Sequence, residues 1–258
     1  MRFMMMILII TLIAWLAGCT NQANEEHADG SAKDGISLLA SQTSQAPEST
    51  PETTEITEFS KEDNSIRAIA AHKDGQLIIQ PQSHGHAATL GAPSCYGLES
   101  DISWTGDYEA VWEPASGAAS SKVMTFPSDF EIIQPTEAAV NLQMVTIGDT
   151  DLYTYYPRYT DCHALDIYFF GVKDGEAFPV SLELEAGKRF TGFVQHPHYP
   201  LQVTDDKIVI TGGEGAGQEF INMYHFNYDG KQHALILQKT DQVKREALMN
   251  QNADPSDK

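Results

Sequence analysis

Four of the nine histidines in this 258-residue chain fall in two His-x-His pairs, His84-Gly85-His86 and His196-Pro197-His198. In an extended strand residues i and i+2 face the same way, so such a pair presents two ring nitrogens to one side. Two pairs together carry the donor set of a tetrahedral metal site, with zinc as the natural occupant. His72 and His163 are further donors of the same kind. Gly85 and Pro197 point instead to loops, where histidines stand solvated and titrate near neutral pH. Zinc is the one cofactor the sequence raises.

Aromatic side chains form the second group. Tyr153, Tyr155, Tyr156 and Tyr159 crowd one segment with Arg158, and Trp104, Tyr108 and Trp112 crowd another. Flat aromatic faces stack on sugar rings or on a partner protein. Tyr153/Tyr155 and Tyr108/Trp112 also fit the two-residue period of a strand, for which ordinary packing is the default. Other motifs fall short. Gly213-Glu214-Gly215-Ala216-Gly217 lacks the spacing of a dinucleotide loop and precedes a strand. Asp149-Thr150-Asp151 begins like a calcium loop, but Tyr153 takes the next ligand position and no glycine follows at the sixth. Gly-x-Ser-x-Gly and His-Glu-x-x-His are both absent, so no motif fixes a reaction.

The elements that carry these residues start with an address. Arg2 precedes an apolar run, Ile7 to Leu16, that is shorter than the ~20 residues needed to span a bilayer. The run ends in Leu16-Ala17-Gly18-Cys19, which resembles the lipobox of bacterial lipoprotein signal peptides. The resemblance covers residues 1–19 alone. It implies a diacylglycerol on the Cys19 thiol, cleavage just before it, and a further acyl chain such as palmitate on the freed amine. Two or more chains are what stable anchoring needs. The implied location is the extracytoplasmic face of the cell membrane. Thr20 stands where an inner-membrane retention aspartate would be, so a two-membrane bacterium would carry the protein on its outer membrane.

With Cys19 lipidated, Cys95 and Cys162 remain, and an even remainder in an exported chain predicts a disulfide. Removing residues 1–18 takes away one cation, Arg2, and leaves 15 Lys+Arg against 36 Asp+Glu, a net charge of −21. Such a chain is repelled by nucleic acid, which is excluded as a partner.

Residues 19–64 are rich in Ser, Thr, Glu, Gln and Ala and cannot bury enough apolar surface to offset chain entropy. They read as a disordered tether of about 35–40 Å root-mean-square span. Residues 65–240 read as one all-β body, antiparallel, with a propeller-like or sandwich arrangement. Asn222 to Tyr228 alternates strictly, and Ile208-Val209-Ile210 and Ala234-Leu235-Ile236-Leu237 are compact apolar runs. Asp74-Gly75, Asp174-Gly175 and Asp229-Gly230 mark hairpins. With a turn at Pro127-Ser128-Asp129 they recur at about 50 residues, a spacing that resembles propeller blades, and Leu201 through Leu237 looks like one blade. Residues 241–258 form a polar tail, with a short helix expected over Gln242 to Gln251.

These readings predict a lipid-anchored surface protein whose β body binds a protein, a wall component or a small ligand. The alternative is a zinc-binding protein or metal-dependent hydrolase built on His84, His86, His196 and His198.

Overall fold

The computed structural model describes residues 60–128 and 130–251. The expected signal segment, Cys19 and most of the expected tether lie outside them. The first half of the body contributes β1 (Ser60–Asp63), β2 (Ala68–His72), β3 (Gly75–Pro81), β4 (Gly85–Thr89), β5 (Ile102–Gly106), β6 (Tyr108–Pro114), β7 (Ser121–Thr125), β8 (Phe130–Gln134) and β9 (Val140–Asn141). The second half adds β10 (Gln143–Ile147), β11 (Thr150–Tyr155), β12 (Leu165–Lys173), β13 (Glu176–Glu185) and β14 (Lys188–Phe190). It closes with β15 (Gly192–Gln195), β16 (Gln202–Thr204), β17 (Lys207–Thr211), β18 (Phe220–Asp229), β19 (Ala234–Lys244) and the short helix α1 (Arg245–Gln251).

The body is all-β, and its ladders are antiparallel except for β2 with β9 and β13 with β19. Two smaller sheets run β1-β4-β5-β8 and β7-β6-β3-β2-β9. The third follows the path β10-β11-β12-β13-β19-β18-β17-β16, with β14 on β13 and β15 on β12. The backbone N–H of His196, just after β15, donates to Thr211 O at the end of β17 (2.7 Å). That bond brings the path almost into a barrel. The stretch from Leu201 to Leu237 is the antiparallel meander β16-β17-β18-β19.

Strands β11 and β12 are the common wall of two cores. Tyr153, Tyr155, Tyr168, Phe170 and Val172 face a cluster that includes Trp104, Tyr108, Trp112 and Ile132. The alternate residues Leu152, Ile167 and Phe169 face the barrel interior with Val180, Ile208, Ile210, Phe226 and Leu235. A strand buried on both faces reads as a near-continuous apolar run, as Leu165 to Val172 does. Trp104, Tyr108, Trp112, Tyr153 and Tyr155 are thus core residues, and for Tyr108/Trp112 and Tyr153/Tyr155 this is the packing that the two-residue period predicts.

All three Asp-Gly positions lie at hairpins, though only one makes a two-residue Asp-Gly turn. Asp174 and Gly175 have φ of 53° and 81°, the left-handed pair that closes β12 onto β13 in a type I′ turn. Between β2 and β3 the turn residues are Lys73 and Asp74, because His72 pairs with Gly75. Between β18 and β19 the link is four residues, Gly230 to His233. There the Asp229 carboxylate accepts from the backbone N–H groups of Lys231 and Gln232, and the His233 ring stacks on Phe178 at 3.5 Å. The Pro127-Ser128 segment closes no hairpin, since β7 and β8 belong to different sheets.

Candidate functional site

A cleft of about 470 Å³ lies at the seam of the barrel. Its walls come from the two ends of the sheet path. Gln143 and Val145 of β10 line one side, and Pro200 and Leu201, which lead into β16, line the other. Tyr155, Tyr156, Arg158 and Tyr159 follow β11 along it, and Gln195, Pro197 and His198 enter after β15. The lining mixes apolar side chains with the neutral amides of Asn141, Gln143 and Gln195. Arg158 is its one permanent charge.

The aromatic-basic segment singled out in the sequence therefore divides. Tyr155 turns its ring into the first core, packing against Phe126 and Tyr168. Tyr156, Arg158 and Tyr159 stand at the cleft. The Tyr156 hydroxyl donates to Gln195 Oε1 (3.0 Å) and so ties β11 to β15. Burial pushes its pKa up to about 12, so it stays a neutral donor. Arg158 donates to Asp166 (3.0 Å), pairs with Asp161 (3.4 Å), and lies over the Tyr96 ring at 4.4 Å. Tyr159 is 48 % exposed, and its hydroxyl donates to Asp101 Oδ2, which also accepts the Leu98 backbone N–H.

A disulfide holds this wall in place. Cys95 and Cys162 are bonded, with their Cα atoms 4.9 Å apart, as the cysteine count predicts. The bond staples the loop carrying Tyr96, Leu98 and Asp101 to the segment carrying Arg158 and Tyr159. The backbone adds a further tie, from Ile133 N–H to Pro157 O at 2.9 Å.

The histidine pairs behave differently from each other. His84 is exposed, with Nδ1 3.1 Å from Asn64 Oδ1, and His86 sits in β4 opposite Glu62. His196 is 4 % exposed; its Nδ1 accepts the backbone N–H of His198, and its Nε2 lies 3.7 Å from Glu214. Burial lowers the His196 pKa even though Glu214 pulls it up. Glu214 also pairs with Arg245, and its backbone N–H donates to His163 O. Gly213 permits that approach, because a Cβ there would lie 2.5 Å from the Ala164 side chain. Among the described residues no group of three or more His, Cys, Asp or Glu side chains is arranged to hold a metal ion. The four histidines of the expected zinc set therefore do not form a common site.

Two further polar residues serve the fold: His72, a candidate donor in the sequence, and Arg67, on which the sequence gives no signal. His72 Nε2 lies 3.0 Å from Asp151, while its Nδ1 accepts the Asp74 N–H, so both ring nitrogens serve the fold. Arg67, 2 % exposed, stacks on Trp104 at 4.2 Å and donates to Ser65 Oγ and Glu137 O. No family model, characterised protein or solved structure matches the chain.

Proposed function

We propose that this chain is a lipid-anchored extracytoplasmic lipoprotein whose β body is a binding module, with the seam cleft as its ligand site. The observation that carries the binding role is the make-up of the cleft. Apolar walls, aromatic rings and a few neutral amides converge in a concavity of ligand size. The polar groups with strong partners already spend them on each other. Arg158 is held by two carboxylates and a ring, and Tyr156 by Gln195. What is left fits recognition and offers no activated nucleophile.

The lipobox-like Leu16-Ala17-Gly18-Cys19 supports the anchor. A tether of about 40 residues would hold the acidic body on the order of 35 Å from the bilayer. Such a body reaches or presents; it does not work on the lipid surface. Growth with radiolabelled palmitate tests the anchor. The wild-type chain takes up label and stays with the membrane fraction, and Cys19→Ala loses both. Labelling of Cys19→Ala equal to the wild type would refute the assignment.

A further inference from the structure

We infer that the seam cleft takes an extended, uncharged or basic peptide segment of a partner protein, added as a strand to the open edge of β10. The inference rests on the binding reading above and specifies its ligand. Among the described residues β10 pairs with β11 alone, from Gln143↔Thr154 to Ile147↔Thr150. The two-residue turn Gly148-Asp149 closes this hairpin. In an antiparallel pair closed that way, alternate residues turn N–H and C=O away from the partner strand. Those residues are Met144 and Thr146. Among the described residues no backbone bond uses their outward groups, a row that a polypeptide strand complements.

Among the described residues, the other strands that end a sheet path or hang off it are guarded. β1 carries Lys61, Glu62 and Asp63, and β7 carries Lys122 and a bulge. β14 is three residues with Lys188 and Arg189, β16 is three residues, and β9 is two. β8 is bridged by Pro157 O at Ile133. β15 is four residues and runs into the His196–Thr211 bond. β10, Gln-Met-Val-Thr-Ile, has five residues with no charge, no proline and no bulge, and Met144 is 53 % exposed. Natural sheets avoid leaving such an edge open unless something pairs with it.

The seam suits a strand for two more reasons. Following the reversals along the sheet path, with the one parallel step at β13–β19, β10 and β16 run in the same direction. A strand laid antiparallel to β10 is antiparallel to β16 as well. On its cleft face, alternate side chains would meet Val145, Leu142 and Leu201, while the Gln143 and Asn141 amides flank them. Charge sets the sign of the partner. The chain carries −20 overall, and the one permanent cation at the cleft, Arg158, is already paired, so an acidic peptide is disfavoured.

The test selects peptides from a random displayed 12-mer library against the full chain in detergent micelles, then measures binding of the synthetic winners. Met144→Pro is the informative variant. It removes an outward N–H on an edge strand, where proline is tolerated, and leaves the β11 ladder intact. The expected winners alternate apolar residues, carry no net negative charge, and bind Met144→Pro about tenfold more weakly while binding Met144→Ala nearly as well as the wild type. Tyr159→Ala also weakens them by about fivefold, the scale of one aromatic contact. Failure to select any peptide overturns the inference. Winners that bind Met144→Pro undiminished but lose affinity in Tyr159→Ala overturn strand addition and keep the cleft. So does chitotetraose, as a neutral glycan probe, if it binds with sensitivity to Tyr159→Ala and none to Met144→Pro. Winners indifferent to both substitutions overturn the cleft itself.

Discussion

Breaking the Cys95–Cys162 bond is the perturbation whose size follows most directly from the structure. The two residues are 67 apart in sequence, so the bond removes the closure freedom of a long loop from the unfolded chain. In the chain-entropy model that is worth about 15 cal/mol/K, or about 4 kcal/mol at 25 °C. For a body of this size each kcal/mol moves the melting temperature by about 2–4 °C, so the reduced protein should melt about 8–16 °C lower. The double variant Cys95→Ser/Cys162→Ser should match the reduced wild type and be indifferent to reductant. Urea unfolding with tryptophan fluorescence reads the free energy, because Trp104 and Trp112 are buried in the first core. The loss should also reach the cleft, since the stapled loop carries Tyr96 over Arg158 and Asp101 under Tyr159. A reduced protein within about 1 kcal/mol of the oxidised one would refute the reasoning.

Two further outcomes concern titrating groups. Burial pushes the Asp63 carboxyl up, but hydrogen bonds from Ser65 and the Trp104 indole, with the Arg67 charge, outweigh it and bring the pKa to about 2. A depressed carboxyl contributes stability in full above its ordinary value near 4 and loses it as pH falls through 2. Asp63→Asn should therefore flatten acid unfolding over that window and, discounted for partial exposure, cost about 1 kcal/mol at pH 7 by urea titration. Burial lowers the His196 pKa, so the folded state binds fewer protons than the unfolded one below pH 6.5. Stability should fall as pH drops below 6.5, and His196→Gln should reduce that slope; an unchanged slope would assign it to other groups.

The all-β body was legible because strand periods and turn residues are local. Leu165 to Val172 announces a doubly buried strand, and Asp174-Gly175 supplies the positive φ that its turn requires. The disulfide was legible by arithmetic once Cys19 was assigned to lipid. The cleft was not, because its walls are set by sheet order. The parallel pairing of β13 with β19 and the entry of β15 beside β12 bring Gln143, Tyr159 and Leu201 together. The histidines misled for a related reason. His196 looks like a ligand by spacing, yet Nδ1 accepts a local backbone N–H and Nε2 faces Glu214. Buried Arg67 gave no signal, since its place depends on the distant Trp104 ring and the Glu137 carbonyl. The first strand was hidden likewise: Ser60–Asp63 is a polar edge that only its ladder to β4 makes a strand.

Amide hydrogen exchange on the full chain, with and without a peptide selected for binding, tests the central claim most directly. Added peptide should slow exchange at Met144 and Thr146 and along Tyr156 to Tyr159, while the Gly230–His233 link on β18–β19 exchanges as before. Slowing at that link or elsewhere on the barrel, with β10 unchanged, would contradict the claim.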